Sequence, residues 1–307
     1  MSELESAVSR DPRVVSVKQE SPLLARAAYR FWRSMKLVGL HPNFGKVNGK
    51  PRGDRDYFVV MMGLDIVKTL PHFMFRGRKS VYVFDAWSSL YPQIKEFVGT
   101  FNIQYAFLPS SQTVEKLRDS VPGCAWFWIP EGVDVSQYKS FSSSKKDIDV
   151  LQFGRKYDAY HDLIVGPLER ENIVYRYERV KGSVIFPTRE EFVNGLARSK
   201  ISICVPSSVT HPERSGDAET MTIRYLQSIV SRCLVLGRAP QEMIDLFGYN
   251  PVVEIDMNDP VGQIKQILRD YGQFASLIEK NYRAVVEHHT WNHRWSAMAD
   301  VLFPVAS

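Results

Sequence analysis

Residues 140–156 read SFSSSKKDIDVLQFGRK. Two changes of character inside that stretch set the domain plan. The first half, 140–146, is short, polar and serine-rich, the composition of a connector. The second half turns apolar from Ile148 to Phe153 and closes on Gly154, as a strand buried on both faces of a parallel sheet does. The break lies near the middle of a chain of 307 residues, a length that fits two ordinary domains or one large α/β unit. Toward the N-terminus, apolar runs predict strands at 57–62, 81–84, 105–108 and 126–129, with a helix at 113–118 and loop over 37–56. Toward the C-terminus the rhythm restarts, with strands at 148–153, 175–178, 201–205, 233–236 and 252–255. Helices at 190–199, 222–230, 260–270 and 274–286 fall between and after them.

Strand and helix in alternation imply an α/β fold of two Rossmann-like, doubly wound layers. Their expected bounds are 1–141 and 148–288, with a C-terminal helix over 289–307 packing back toward the first. A hinge between two such layers implies a cleft, and open α/β sheets take ligands at the carboxyl ends of their strands.

Composition narrows the function classes. Apolar residues make up 44% and charged residues 24%, which excludes disorder, collagen and mucin-like stalks. No apolar run approaches the ~20 residues of a bilayer-spanning helix; the longest, 57–67, is broken by Asp65. The opening MSELESAVSR lacks the apolar centre of a signal peptide. Cys124, Cys204 and Cys233 are widely spaced and form no CxxC pair, which points to a reducing, cytoplasmic setting without disulfide framework or zinc site. Residues 1–147 hold 21 Lys and Arg against 14 Asp and Glu, while the remainder is slightly acidic. A basic first half suits a phosphate-bearing substrate or an anionic lipid surface. Nucleic acid is not expected, because no helix-turn-helix, zinc finger or RNA-binding motif accompanies the charge.

Within that basic half, Ser21 and Pro22 form a helix start. Leu24, Ala28, Phe31 and Met35 then recur at helical spacing, with Arg26, Arg30, Arg33 and Lys36 on an offset stripe. The favoured reading packs the apolar residues inward and leaves a solvated basic edge. The other lays the helix on an anionic membrane, a peripheral contact at its inner face.

Ile129-Pro130-Glu131-Gly132-Val133-Asp134 ends a strand at proline, turns on glycine and meets an acid. Together with four later segments it resembles the connection leaving the first domain of GT-B glycosyltransferases of the "group 1", or family 4, class. Phe153-Gly154-Arg155-Lys156 is similar to the glycine–arginine turn of their donor domain, and 192–206 (FVNGLARSKISICVP) to their helix-then-strand segment. Glu219 and Gln227 keep the spacing of their Glu-x7-Glu pair. His289-Thr290-Trp291 with Arg294 resembles the ending of the spore-maturation-type branch. The likeness spans roughly residues 100–300 and does not extend to 1–56. It implies two facing Rossmann-like domains, a nucleoside-diphosphate sugar as donor substrate, no other cofactor, and transfer of a hexosyl group with retention of configuration.

The chemistry is consistent with the residues. A departing diphosphate needs donors and cations where charge develops. Gly154 lets the backbone approach, while Arg155 and Lys156 supply charge. Eight residues make just over two helical turns, so Glu219 at a helix mouth and Gln227 farther down can face one ligand. Thr220, Met221 and Thr222 between them would offer free N–H groups to the diphosphate. The resemblance gives Glu219 the donor sugar and Gln227 the ribose, although Gln227 replaces the family's second glutamate and Arg232 a common glycine.

Asp85, after the strand 81–84, could orient or deprotonate an acceptor hydroxyl; as an alternative it caps the next helix. Phe84 stands where the family often has histidine. His211, with Arg214, could close over the sugar, and His72 is a weaker candidate. Asp147-Ile148-Asp149 spells D-x-D but opens a strand instead of leaving one, so no metal is expected. The acceptor implied is a glycan, as in polysaccharide biosynthesis, or a lipid-linked or anionic molecule. Two other readings stay open: a same-fold sugar-nucleotide epimerase or phosphorylase, and a catalytically silent nucleotide-sugar-binding protein.

Overall fold

The computed structural model describes residues 2–16, 22–40, 56–75, 77–180, 182–216 and 218–304. The chain divides into two compact units. The first comprises Met1–Pro130, Glu213–Ala218 and Ala297–Ser307; the second comprises Glu131–Pro212 and Glu219–Ser296.

In the first unit, β1 (Tyr57–Met62), β2 (Lys79–Phe84), β3 (Tyr105–Leu108) and β4 (Ala125–Trp128) form one parallel sheet in the order β1-β2-β3-β4. Its helices are α1 (Glu3–Ser9), α2 (Pro22–Leu37), α3 (Tyr91–Phe101) and α4 (Ser111–Leu117). β-Branched and aromatic side chains suit a pleated layer covered by helices, and Met61, Val81, Val83, Phe97, Phe101 and Leu108 pack into its core. Local chemistry sets the helix ends. Ser110 caps α4 by accepting from the Thr113 N–H at 3.3 Å, and Asn102 ends α3 in the left-handed region. Lys79 is buried and donates to the Phe101 carbonyl at 3.0 Å; burial lowers its pKa to about 8.

Two expectations for this unit change. Among the described residues its strands run in chain order without reversal, so the doubly wound order is absent here. The inward face of α2 also differs. Ala25 and Trp32 are buried, with Ala28 and Tyr29 packed beside them, while Leu24 and Phe31 are exposed. The indole at position 32 packs against Phe101 and so sets the rotation of the helix. Ser21 lies outside the described residues.

In the second unit, β5 (Ile148–Gln152), β6 (Tyr175–Tyr177), β7 (Ser199–Cys204), β8 (Leu234–Gly237) and β9 (Val253–Glu254) form a parallel sheet in the order β6-β5-β7-β8-β9. The strand order reverses after β6, so β5 and β7 flank a topological switch point. Helices cover both faces. α6 (Arg189–Ala197), α9 (Ile223–Val230) and α10 (Gln241–Phe247) join Leu151, Leu196, Tyr225, Ile229 and Met243 on one face. On the other, α5 (Asp158–Arg170) and α11 (Pro260–Arg269) join Val150, Tyr160, Ile201, Ile203 and Ile264. Adjacent Val150 and Leu151 enter opposite cores, as the two-residue period of a strand requires. The remaining helices of this unit are α7 (Ser207–Thr210) and α12 (Ala275–His288); α8 (Pro212–Ser215) and α13 (Trp291–Leu302) each divide between the two units, at 212/213 and 296/297. No described helix is long and apolar enough to cross a membrane.

The segment read as a solvated connector is anchored at its end. Lys146 is only 6% exposed and donates to the carbonyls of Ala197, Ser199 and Ser231 at 3.0, 2.8 and 3.1 Å. Asp147 pairs with Arg198, and Asp149 with Lys200, so both acids of the D-x-D string neutralise cations.

The two ends of the second unit meet. Val133 bridges Thr290: its N–H donates to the His289 carbonyl at 3.3 Å, and its own carbonyl accepts from Trp291 at 3.2 Å. A Cβ on Gly132 would lie 2.8 Å from the Trp291 nitrogen, so only glycine allows this crossing. Here the I-P-E-G-V-D and H-T-W segments, far apart in sequence, form a single feature. His289 stacks on Phe247 and accepts from Arg294 at 2.8 Å. Burial, then the Arg294 charge, lowers its pKa to about 3.

Candidate functional site

The carboxyl ends of β5 and β7, on either side of the reversal, carry the loops singled out in the sequence. After β5 the chain turns at Gly154 with φ +72°, a left-handed conformation that disfavours side chains. Its absent Cβ would stand 3.0 Å from the Arg224 side chain. Arg224, in the first turn of α9, crosses this opening. Its guanidinium donates to the Phe153, Arg155 and Val205 carbonyls at 3.4, 3.3 and 3.2 Å. It therefore ties the β5 loop to the β7 loop. Arg224 is 8% exposed, and among the described residues no carboxylate pairs with it. Two hydroxyls on the same edge, Ser207 Oγ and Thr222 Oγ1, are buried and have no hydrogen-bond partner. A buried positive group with only carbonyl partners, beside unsatisfied donors, is an environment that favours an anion.

Glu219 precedes the helix mouth. Arg238, just past β8, pairs with its carboxylate at 2.7 Å, and Ser208 donates to it at 3.4 Å. The carboxylate remains partly open to solvent. Arg155 and Lys156 are half-buried on the β5 loop, and Lys156 contacts Asp158 at 3.3 Å.

The helix mouth differs from its expected form. Glu242, buried in the first turn of α10, accepts from Thr220 Oγ1 at 2.6 Å and from the Met221 N–H at 2.8 Å. Glu131 accepts from the Ile223 N–H at 2.5 Å. The Met221 and Ile223 backbone donors and the Thr220 hydroxyl at this helix mouth thus already hold carboxylates, which favour the positive end of a helix dipole for the same reason phosphate does. Thr222 is the N-cap and leaves its hydroxyl unused. Gln227 is buried and donates to the Tyr138 hydroxyl at 2.8 Å. That bond ties it to the segment before β5 and not to an open ribose pocket. His211 lies half-buried at the end of α7.

Asp85 belongs to the first unit. It follows β2 with φ +50°, an uncommon position for a side-chain-bearing residue. In the short helix that follows, Ser88–Leu90, the N-cap position is Trp87, which makes no side-chain cap. His72 stacks beside Tyr57 in a helical turn. The thiols offer no nucleophile. Burial pushes Cys124 up to about 12 and Cys233 to about 11, and raises Cys204, so none is a thiolate at neutral pH.

Sequence reasoning missed Arg224, Glu131, Glu242 and Tyr138 as members of this cluster. Glu131 stood inside a quoted string but read as a turn residue. Arg224 lay between Glu219 and Gln227, where helical spacing turns it toward the β5 loop. Glu242 and Tyr138 carry no local signal, because only the packed sheet brings them to the helix.

No family model matches the chain, and no curated protein matches it. Among solved structures, it is similar to the sucrose-phosphate synthase of Thermosynechococcus elongatus. The two are 12% identical over 98% of this chain and 91% of that one, with a TM-score of 0.58. A glycosyltransferase from Rickettsia africae is 9% identical over 95% of this chain and 85% of that one, with a TM-score of 0.52. HepE of Anabaena, solved with UDP and glucose, is 11% identical over 78% of this chain and 75% of that one, with a TM-score of 0.54. The chain shares its α/β fold of parallel sheets with these GT-B glycosyltransferases.

Proposed function

We propose that the protein is a glycosyltransferase that takes a nucleoside-diphosphate sugar at the switch point of the second unit. One observation carries the reading: the Arg224 guanidinium, bound only to carbonyls, beside the unpartnered hydroxyls of Ser207 and Thr222. The fold shared with UDP-bound HepE supports it. Because Glu131 and Glu242 hold the Ile223 and Met221 amides, the diphosphate is assigned to the Gly154 turn. There Arg155, Lys156 and Arg224 would balance its charge without a metal, and Thr222 would donate to it.

Glu219, held at the edge by Arg238, is assigned to the donor sugar, with retention of configuration; His211 would close over that sugar. Gln227 acts as a positioning residue through Tyr138. Asp85, at the end of β2, would receive the acceptor hydroxyl, which belongs to a glycan, a lipid-linked or an anionic molecule.

A second reading, a binding protein without turnover, is favoured by the engagement of Gln227 with Tyr138, since that amide then has no free role at a ribose. Calorimetric titration with UDP-, GDP- and ADP-sugars, followed by a turnover assay, separates the two. Binding with turnover is expected, and Lys156→Ala, on a half-buried loop cation, is expected to weaken binding by about tenfold. Binding without turnover supports the second reading. If no nucleotide sugar binds the intact protein, both are overturned.

A further inference from the structure

We propose that the outward face of α2 is a docking surface for an anionic lipid bilayer, with the helix lying flat in the headgroup region. Three stripes run along α2. Ala25, Tyr29 and Trp32 fix it to the core of the first unit. Rotated away from them, Leu23, Phe31 and Val38, the last just past the helix end, recur at eight- and seven-residue steps, about two helical turns each, and face solvent; Leu23 is 77% exposed and Phe31 57%. Beside this apolar stripe Arg26, Arg30 and Arg33 repeat at the same period, all exposed. Among the described residues none of the three pairs with a carboxylate, although Lys36, at the helix's last turn, pairs with Glu96.

A helix held by one face needs only polar groups on the others. Large apolar side chains in a row on the free side imply a second apolar environment. The arginine row selects which one. An apolar patch with unpaired guanidinium groups along one flank matches a bilayer, where acyl chains receive leucine and phenylalanine and lipid phosphates receive arginine. A helix of 16 residues is about 24 Å long at 1.5 Å per residue. That is too short and too charged to cross a bilayer, and long enough to lie along it. The surface stands independently of the donor site, and its test needs no nucleotide.

The test is flotation of the full-length protein with vesicles of phosphatidylcholine alone or mixed with phosphatidylglycerol, at low and high salt. Wild-type protein is expected to float with the anionic vesicles and not the neutral ones, and to be released by salt. Arg26→Gln, Arg30→Gln and Arg33→Gln should each lower partitioning about fivefold, and together about a hundredfold. Leu23→Ser and Phe31→Ser should weaken binding at every salt concentration. Circular dichroism and melting temperature should stay unchanged, because all five side chains are exposed. The proposal is overturned if wild-type protein stays with neither vesicle at low salt, or if binding is indifferent to all five substitutions. It is also overturned if Phe31→Ser turns a dimer into a monomer on gel filtration, since a second copy would then own the face.

Discussion

Glu219 is held by the Arg238 guanidinium and the Ser208 hydroxyl, and an amide in its place can keep both contacts while removing the charge. Glu219→Gln keeps a partner for Arg238 and Ser208, so thermal stability is expected to change little while sugar transfer falls by at least about a hundredfold. Transfer rates with a bound donor, measured beside a melting curve, check both halves. His289 gives a different test. Its pKa of about 3 in the folded chain lies below the ordinary 6.5. Between those values the unfolded chain binds a proton that the folded chain refuses. Its contribution is therefore whole above pH 6.5 and lost as pH falls toward 3, at up to about 1.4 kcal/mol per pH unit. Urea midpoints at pH 7 and pH 5 should show this slope in wild type and a shallower one in His289→Gln. At this scale the sequence was partly readable. Glu219 and Gly154 stood out by position and type, whereas the partners of Thr220, Met221 and Gln227 did not, since a hydrogen bond across the sheet leaves no periodic trace.

Helices and strands depend on where a backbone can approach another. A Cβ on Gly237, at the end of β8, would stand 1.7 Å from the Cys204 carbonyl oxygen of β7. Gly237→Ala must push β8 off its neighbour, and a loss of more than about 4 kcal/mol is expected, read as little soluble protein or a collapsed melting temperature. Lys146→Met removes the donor from three carbonyls at the head of β5, and a loss of about 3 kcal/mol is expected by denaturant titration. Most elements were legible from apolar runs, and β1, β3 and β5 begin where those runs do. The rotation of α2 was not, because Trp32, the largest side chain on that helix, sits off the stripe that period counting selects. α5 escaped notice too, since Pro167 interrupts its pattern.

At the level of the whole chain, each unit owns a sheet and a core, so unfolding is not expected to be a single all-or-none step. Calorimetry should resolve two transitions. A nucleotide sugar at a hundredfold excess over its dissociation constant adds about 2.7 kcal/mol to the state that binds it. On the proposed assignment it should raise the transition of the second unit by several degrees and leave the other in place. A ligand that shifts both equally, or only the first, would remove the donor from the second unit. The α/β class was readable in the alternation of strand and helix. Strand order was not, since nothing local distinguishes a sheet that reverses after β6 from one that runs in chain order.

The crossing of Gly132 beneath Thr290 and Trp291 has one more consequence. The opening residues of the second unit pair with the start of its last helix, so the chain between Val133 and Thr290 is a loop with its ends already knitted together. Such a loop tolerates relocation of its termini: splicing residue 131 to 291 and cutting at the exposed turn near Asn258 should yield a permutant that still folds.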